Sequence, residues 1–144
     1  MKLKHSGHTL VFSLCLLMLL PTIALAGNSI KWYKYGEGMA LAEKKKTPLL
    51  LHFRADWCFY CRIMARKTFQ DPLVVSYLNR NFIAVIVDVD KEVETAFRYG
   101  VRAIPDTLFL TQQGKKTRNF RGYIGPEDLL SILKAVHGIA SEGE

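Results

Sequence analysis

The sequence predicts a single α/β domain with a mixed central sheet flanked by helices on both faces. Three observations carry that expectation. Two short apolar runs, Leu49-Leu50-Leu51-His52-Phe53 and Phe82 to Val87, have the pattern of strands buried on both sides in a parallel sheet. Segments with helical start and stop signals separate and follow them. A glycine-containing loop, Gln112-Gln113-Gly114, joins two strand-like runs and predicts a hairpin that adds antiparallel strands at one edge. At 144 residues the chain suits one hydrophobic core and not two. Hydrophobic residues make up 49% and charged residues 23%, which excludes the disordered and polytopic membrane classes.

The first segment reads as a targeting signal. Met1 to His8 carries Lys2 and Lys4 and no acid, Leu10 to Leu20 is apolar apart from Ser13 and Cys15, and Ala24-Leu25-Ala26 supplies small residues for a cut. This order predicts a secretory signal peptide over residues 1–26, ahead of a domain over 27–144. The apolar run is shorter than the roughly 20 residues of a membrane span, which argues against a retained anchor. Cys15 lies inside the run with no small residues before it, which argues against a lipoprotein. Loss of Lys2 and Lys4 lowers the net charge from +7 to +5. The remaining lysine clusters, Lys44-Lys45-Lys46 and Lys115-Lys116, sit beside turns without interleaved aromatics, so nucleic acid is not an expected partner. Export implies a periplasmic or secreted setting where disulfides persist, and the exported part keeps Cys58 and Cys61 alone.

The elements follow in order. Ile30 to Tyr33 is a short first strand. Gly36 to Lys46 is a helix stopped by Pro48, and Leu49 to Phe53 is the first central strand. A helix runs from Phe59 to Thr68. Asp71-Pro72 then opens a second helical piece to Asn79, with aspartate as N-cap and proline at the first helical position. Phe82 to Val87 is Ile- and Val-rich and forms the second central strand. Lys91 to Tyr99 is a helix ended by Gly100, and Thr107–Thr111 and Lys116–Arg121 form the hairpin. Pro126 to His137 closes the chain as an amphipathic helix with Leu129, Leu130, Leu133 and Val136 on its buried stripe and Gly138 as its stop. Strand–helix–strand units at this spacing imply parallel strands joined by right-handed crossovers.

The chemistry-bearing motif is Trp57-Cys58-Phe59-Tyr60-Cys61, between a buried strand and a helix. Cys58 is expected at the helix start, partly exposed, where unpaired N–H groups and the helix dipole favour its thiolate. Cys61 lies on the same face one turn deeper and can attack a mixed disulfide at Cys58. Other uses of the spacing are weaker. Zinc needs two further ligands, and the domain offers only His52 and His137. Haem attachment needs histidine after the second cysteine, and position 62 is arginine. An inert structural disulfide remains open at this point.

With the Ile104-Pro105 dipeptide 44 positions after Cys61 and Gly122 before the last helix, the motif resembles the thioredoxin family over Ile30 to Val136. Ala55-Asp56-Trp57-Cys58 and Thr68-Phe69-Gln70-Asp71-Pro72 further resemble the C-terminal domain of the bacterial transporter DsbD. The resemblance implies a thioredoxin fold and no cofactor beyond a redox-active Cys58–Cys61 disulfide. It makes Cys58 the attacking and Cys61 the resolving thiol. Trp57 would shield the pair, and a cis Pro105 would set the Ile104 backbone opposite it for substrate pairing. Phe59 and Tyr60, in place of the common Gly-Pro or Pro-His, add a partner-contact surface. His52 stands where the family often has a buried carboxylate and could accept the Cys61 proton; a packed core histidine is the plain alternative. Asp106 follows Pro105 where threonine is common, and a carboxylate near the cysteines would raise their pKa unless Arg54, Arg62 or Arg102 offsets it.

The implied function is an exported, monomeric thiol–disulfide oxidoreductase, of reductase or electron-carrier type. Its partners would be disulfide-containing exported proteins, apocytochromes among them, and a membrane electron donor of the DsbD type. A thioredoxin-fold binding or assembly module without redox turnover is the alternative. A small peroxidase finds no support in the sequence.

Overall fold

A computed structural model describes residues 29–141 of the chain; the signal peptide expected over 1–26 lies outside the described residues. The elements are β1 (Trp32–Tyr33), α1 (Tyr35–Lys45), β2 (Leu49–Arg54), α2 (Phe59–Lys67), α3 (Pro72–Asn81), β3 (Ile83–Asp88), α4 (Val93–Arg98), β4 (Asp106–Leu110), β5 (Lys116–Arg121) and α5 (Pro126–Ser141). The sheet order is β1-β3-β2-β4-β5. Strands β1 and β2 run parallel to β3, while β4 and β5 are antiparallel to their neighbours. This is the mixed sheet that the two apolar runs and the hairpin predict.

Period-2 alternation along β2 divides the core. Leu49, Leu51 and Phe53 pack on one face with Ala42 of α1 and Ala96 of α4. Leu50 packs on the other with Met64 of α2, Val74 and Leu78 of α3, and Leu129 and Leu133 of α5. Each buried leucine, valine, methionine or phenylalanine among these stabilises the fold by about 1.5–3 kcal/mol. Helix α1 lies close on the sheet: a Cβ added to Gly38 would stand 2.2 Å from Val85 Cγ2, so only glycine fits there.

Local chemistry sets the helix ends. The Asp71 carboxylate accepts from the Leu73 and Val74 N–H groups, with Pro72 in the first turn, as the sequence predicts. Helix α4 starts later than the expected Lys91 because the Lys91 and Glu92 N–H groups are bonded to the Asp88 carbonyl in a turn. Helix α5 does not stop at Gly138 but continues to Ser141; a glycine lowers helix propensity without forbidding the next turn.

Candidate active site

Strand β2 ends at Arg54, and a turn over residues 55–57 delivers Cys58 to the N-cap of α2. Cys58 and Cys61 form a disulfide with Cα atoms 5.3 Å apart. The Cys61 N–H points at Cys58 Sγ across 3.2 Å. In the reduced protein the same donor would stabilise a thiolate at Cys58. The exposure expected for Cys58 is not found: Cys58 is 5% and Cys61 3% exposed, so neither lies appreciably deeper. Ala55, Val89 and Ile104 pack around the pair and close it off. Trp57 does not act as the expected shield. It is 67% exposed, and its indole N–H donates to Asp90 Oδ2 at 2.9 Å. Phe59 and Tyr60 stand exposed beside it as an edge-to-face pair with ring centroids 5.5 Å apart.

The loop before β4 faces the disulfide. Its Ile104–Pro105 peptide is cis, and the Ile104 side chain packs on the cysteines. The Pro105 carbonyl accepts from the Gly122 N–H at 2.7 Å. Gly122 has φ +92°, a conformation that a Cβ disfavours. The glycine matched from the sequence therefore ties the proline loop to the end of β5.

His52 is buried, at 2% exposure, on the α2 side of β2. Its Nδ1 lies 3.2 Å from Thr107 Oγ1, and the Phe69 ring meets it edge-on at 4.7 Å. Burial, assisted by the Arg54 charge, pulls its pKa down to about 3, so the ring is neutral at pH 7. His52 and Cys61 both line a pocket of about 210 Å³, with Trp32, Phe69, Arg54 and Arg62 among its walls. Cys58 is not part of that wall.

Asp106 finds its hydrogen-bond and charge partners on β5. It pairs in register with Phe53 and Arg121, and its carboxylate turns toward β5. There Asn119 Nδ2 donates to it at 2.8 Å and Arg121 Nε lies 3.8 Å away. Burial pushes its pKa up despite these partners. Two of the arginines expected to offset it, Arg54 and Arg62, are engaged elsewhere. Arg54 pairs with Asp56 and Asp88, and Arg62 donates to the Asp56 carbonyl at 2.8 Å. Thr107, Asp90 and Asn119 escaped the sequence reading. Only the pairing of β2 with β4 reveals Thr107, which sits opposite His52.

A family model described as a thioredoxin-like domain matches residues 35–137. The chain belongs to the thioredoxin-like family. It is similar to the thiol:disulfide interchange protein DsbD of Vibrio vulnificus, 33% identical over 87 residues. That match covers 58% of this chain and 14% of the relative's length. Among solved structures it is similar to a thioredoxin from Thermus thermophilus, with TM-score 0.72 and 29% identity over 81% of this chain and 94% of that one. A DsbH oxidoreductase shares the fold, with TM-score 0.71 and 22% identity over 84% of this chain and 93% of that one. A thioredoxin-like domain with a cysteine pair bonded at the start of α2 supports thiol–disulfide oxidoreductase chemistry. No helix among the described residues is long and apolar enough to cross a membrane.

Proposed function

We propose that this thioredoxin-like protein is exported through a cleaved signal peptide over residues 1–26 and reduces disulfides of other exported proteins in the periplasm. Cys58 attacks the substrate disulfide, and Cys61 resolves the mixed disulfide. No cofactor is needed beyond the Cys58–Cys61 couple. Electrons return from a membrane donor of the DsbD type, and apocytochromes are among the substrates. The protein works as a monomer. The carrying observation is the Cys58–Cys61 disulfide at the α2 N-cap, packed against Ile104 of the cis-proline loop. Trp57, Phe59, Tyr60, Ile104 and Pro105 form the substrate-facing rim. His52 serves the Cys61 sulfur from the pocket side.

The DsbD likeness supports the reducing direction, although the match spans a small part of that relative. A Cys61→Ser variant tests the cycle, because without a resolving thiol the intermediate cannot close. Non-reducing gels of periplasmic extract are expected to show adducts through Cys58 that vanish with reductant. Their absence, together with undiminished partner binding by Cys58→Ser, would favour a binding module instead.

A further inference from the structure

The two ring nitrogens of His52 have different surroundings, and the difference determines where the ring proton sits. Nδ1 faces Thr107 Oγ1 at 3.2 Å. Thr107 is fully buried, and this is its hydroxyl's one hydrogen bond among the described residues. A hydroxyl carries a single hydrogen, and a buried donor without an acceptor is costly. If Nδ1 held the ring proton, it would donate to Oγ1 and strand the hydroxyl hydrogen. If the hydroxyl donates to Nδ1 instead, both groups are satisfied and the neutral ring carries its proton on Nε2. Nε2 makes no hydrogen bond, yet no sealed-in side-chain nitrogen or oxygen among the described residues lacks a partner. Nε2 therefore reaches open space, and the opening beside this ring is the pocket that Cys61 also lines.

We propose that Thr107 is a positioning residue that holds His52 as its Nε2–H tautomer, so that the imidazole donates toward the Cys61 sulfur instead of accepting its proton. The proposal rests on the redox cycle above and reverses the acceptor role expected from the family's carboxylate. In the release step the Cys61 thiol loses its proton to water in the pocket. The Cys61 thiolate attacks Cys58 Sγ and forms the Cys58–Cys61 bond. The bond from Cys58 to the substrate sulfur breaks, and that sulfur leaves with the electron pair as a thiolate. When a donor thiolate later attacks Cys58, Cys61 leaves as a thiolate. Both directions pass through a charged Cys61 sulfur in apolar surroundings, where a fixed N–H stabilises it. The charged groups at this pocket are Arg54 and Arg62, and Arg54 is shared with Asp56 and Asp88.

Two-bond proton–nitrogen correlation spectra of the labelled protein at neutral pH test the tautomer directly, with His52→Gln identifying the signal. The expected pattern has Nε2 protonated and Nδ1 bare. A ring protonated at Nδ1 alone, or at both nitrogens, overturns the proposal. Kinetics give a second reading. Glutamine at position 52 can donate from the place of Nε2 but cannot take a proton, whereas aspartate can take one but not donate. His52→Gln is expected to resolve a mixed disulfide about tenfold faster than His52→Asp; the opposite order restores the acceptor role. Thr107→Ser is expected to outpace Thr107→Val, and equal rates would remove Thr107 from the account. The spectrum needs no turnover, so it separates a wrong tautomer from a wrong redox reading, which Cys58→Ser would expose.

Discussion

Two titratable side chains are buried in neighbouring strands, His52 in β2 and Asp106 in β4. The antiparallel register sets His52 opposite Thr107 and Phe53 opposite Asp106. Successive residues of a strand face opposite sides, so His52 and Thr107 share the face of the Cys61 pocket while Asp106 shares the other with Phe53. Asp106 is next to Pro105 in sequence, yet it serves the β4–β5 hairpin through Asn119 and Arg121. His52, six positions from Cys58 in sequence, lines the pocket that Cys61 also lines. Strand register decides which buried group lines the Cys61 pocket; closeness along the chain does not.

The largest effect is expected at the pair that gives the comparison its meaning. Cys58→Ser should abolish reduction of a protein disulfide, because the attacking thiol is gone; activity in an insulin-reduction assay would contradict this. His52→Ala should come next. Single-turnover resolution should slow, and truncation of a buried side chain should cost about 2–5 kcal/mol, measured by denaturant unfolding. A folded His52→Ala that resolves at the wild-type rate at every pH would reduce His52 to core packing.

A smaller effect is expected in the pH dependence of stability. His52 has a folded pKa of about 3, below its ordinary value of 6.5. The unfolded chain therefore takes up the proton first, and stability present above about pH 6.5 is lost as pH falls toward 3. Between pH 7 and pH 5 the loss from this residue is about 2 kcal/mol. Comparison of wild type with His52→Leu by denaturant unfolding isolates it; parallel profiles would mean the ring is not held neutral. Asp106 should give the smallest effect, with the opposite sign. Its raised pKa means that ionisation opposes folding, so Asp106→Asn should gain stability relative to wild type as pH rises through the carboxylate range. The titration of the Cys58 thiol should not move. A shift there would return Asp106 to the redox site.

Much of the fold was legible because its signals are local. Leu49 to Phe53 and Phe82 to Val87 read as central strands from composition, and the Asp71-Pro72 cap marks the start of α3. The cysteine spacing pointed to the site in the same way. What escaped depends on non-local pairing. The Thr107 hydroxyl matters only once β4 is aligned on β2. Trp57 swings outward because Asp90, in the turn after β3, captures its indole N–H. Cys58 is hidden because Val89 and Ile104 arrive from two distant loops.

The most direct test of the central claim is the reduction potential of the Cys58–Cys61 couple, measured by equilibrating the protein with glutathione buffers and trapping free thiols by alkylation. A reducing protein of the kind proposed predicts a potential near about −270 mV, whereas a value near about −120 mV would make the couple an oxidant and contradict the proposed direction.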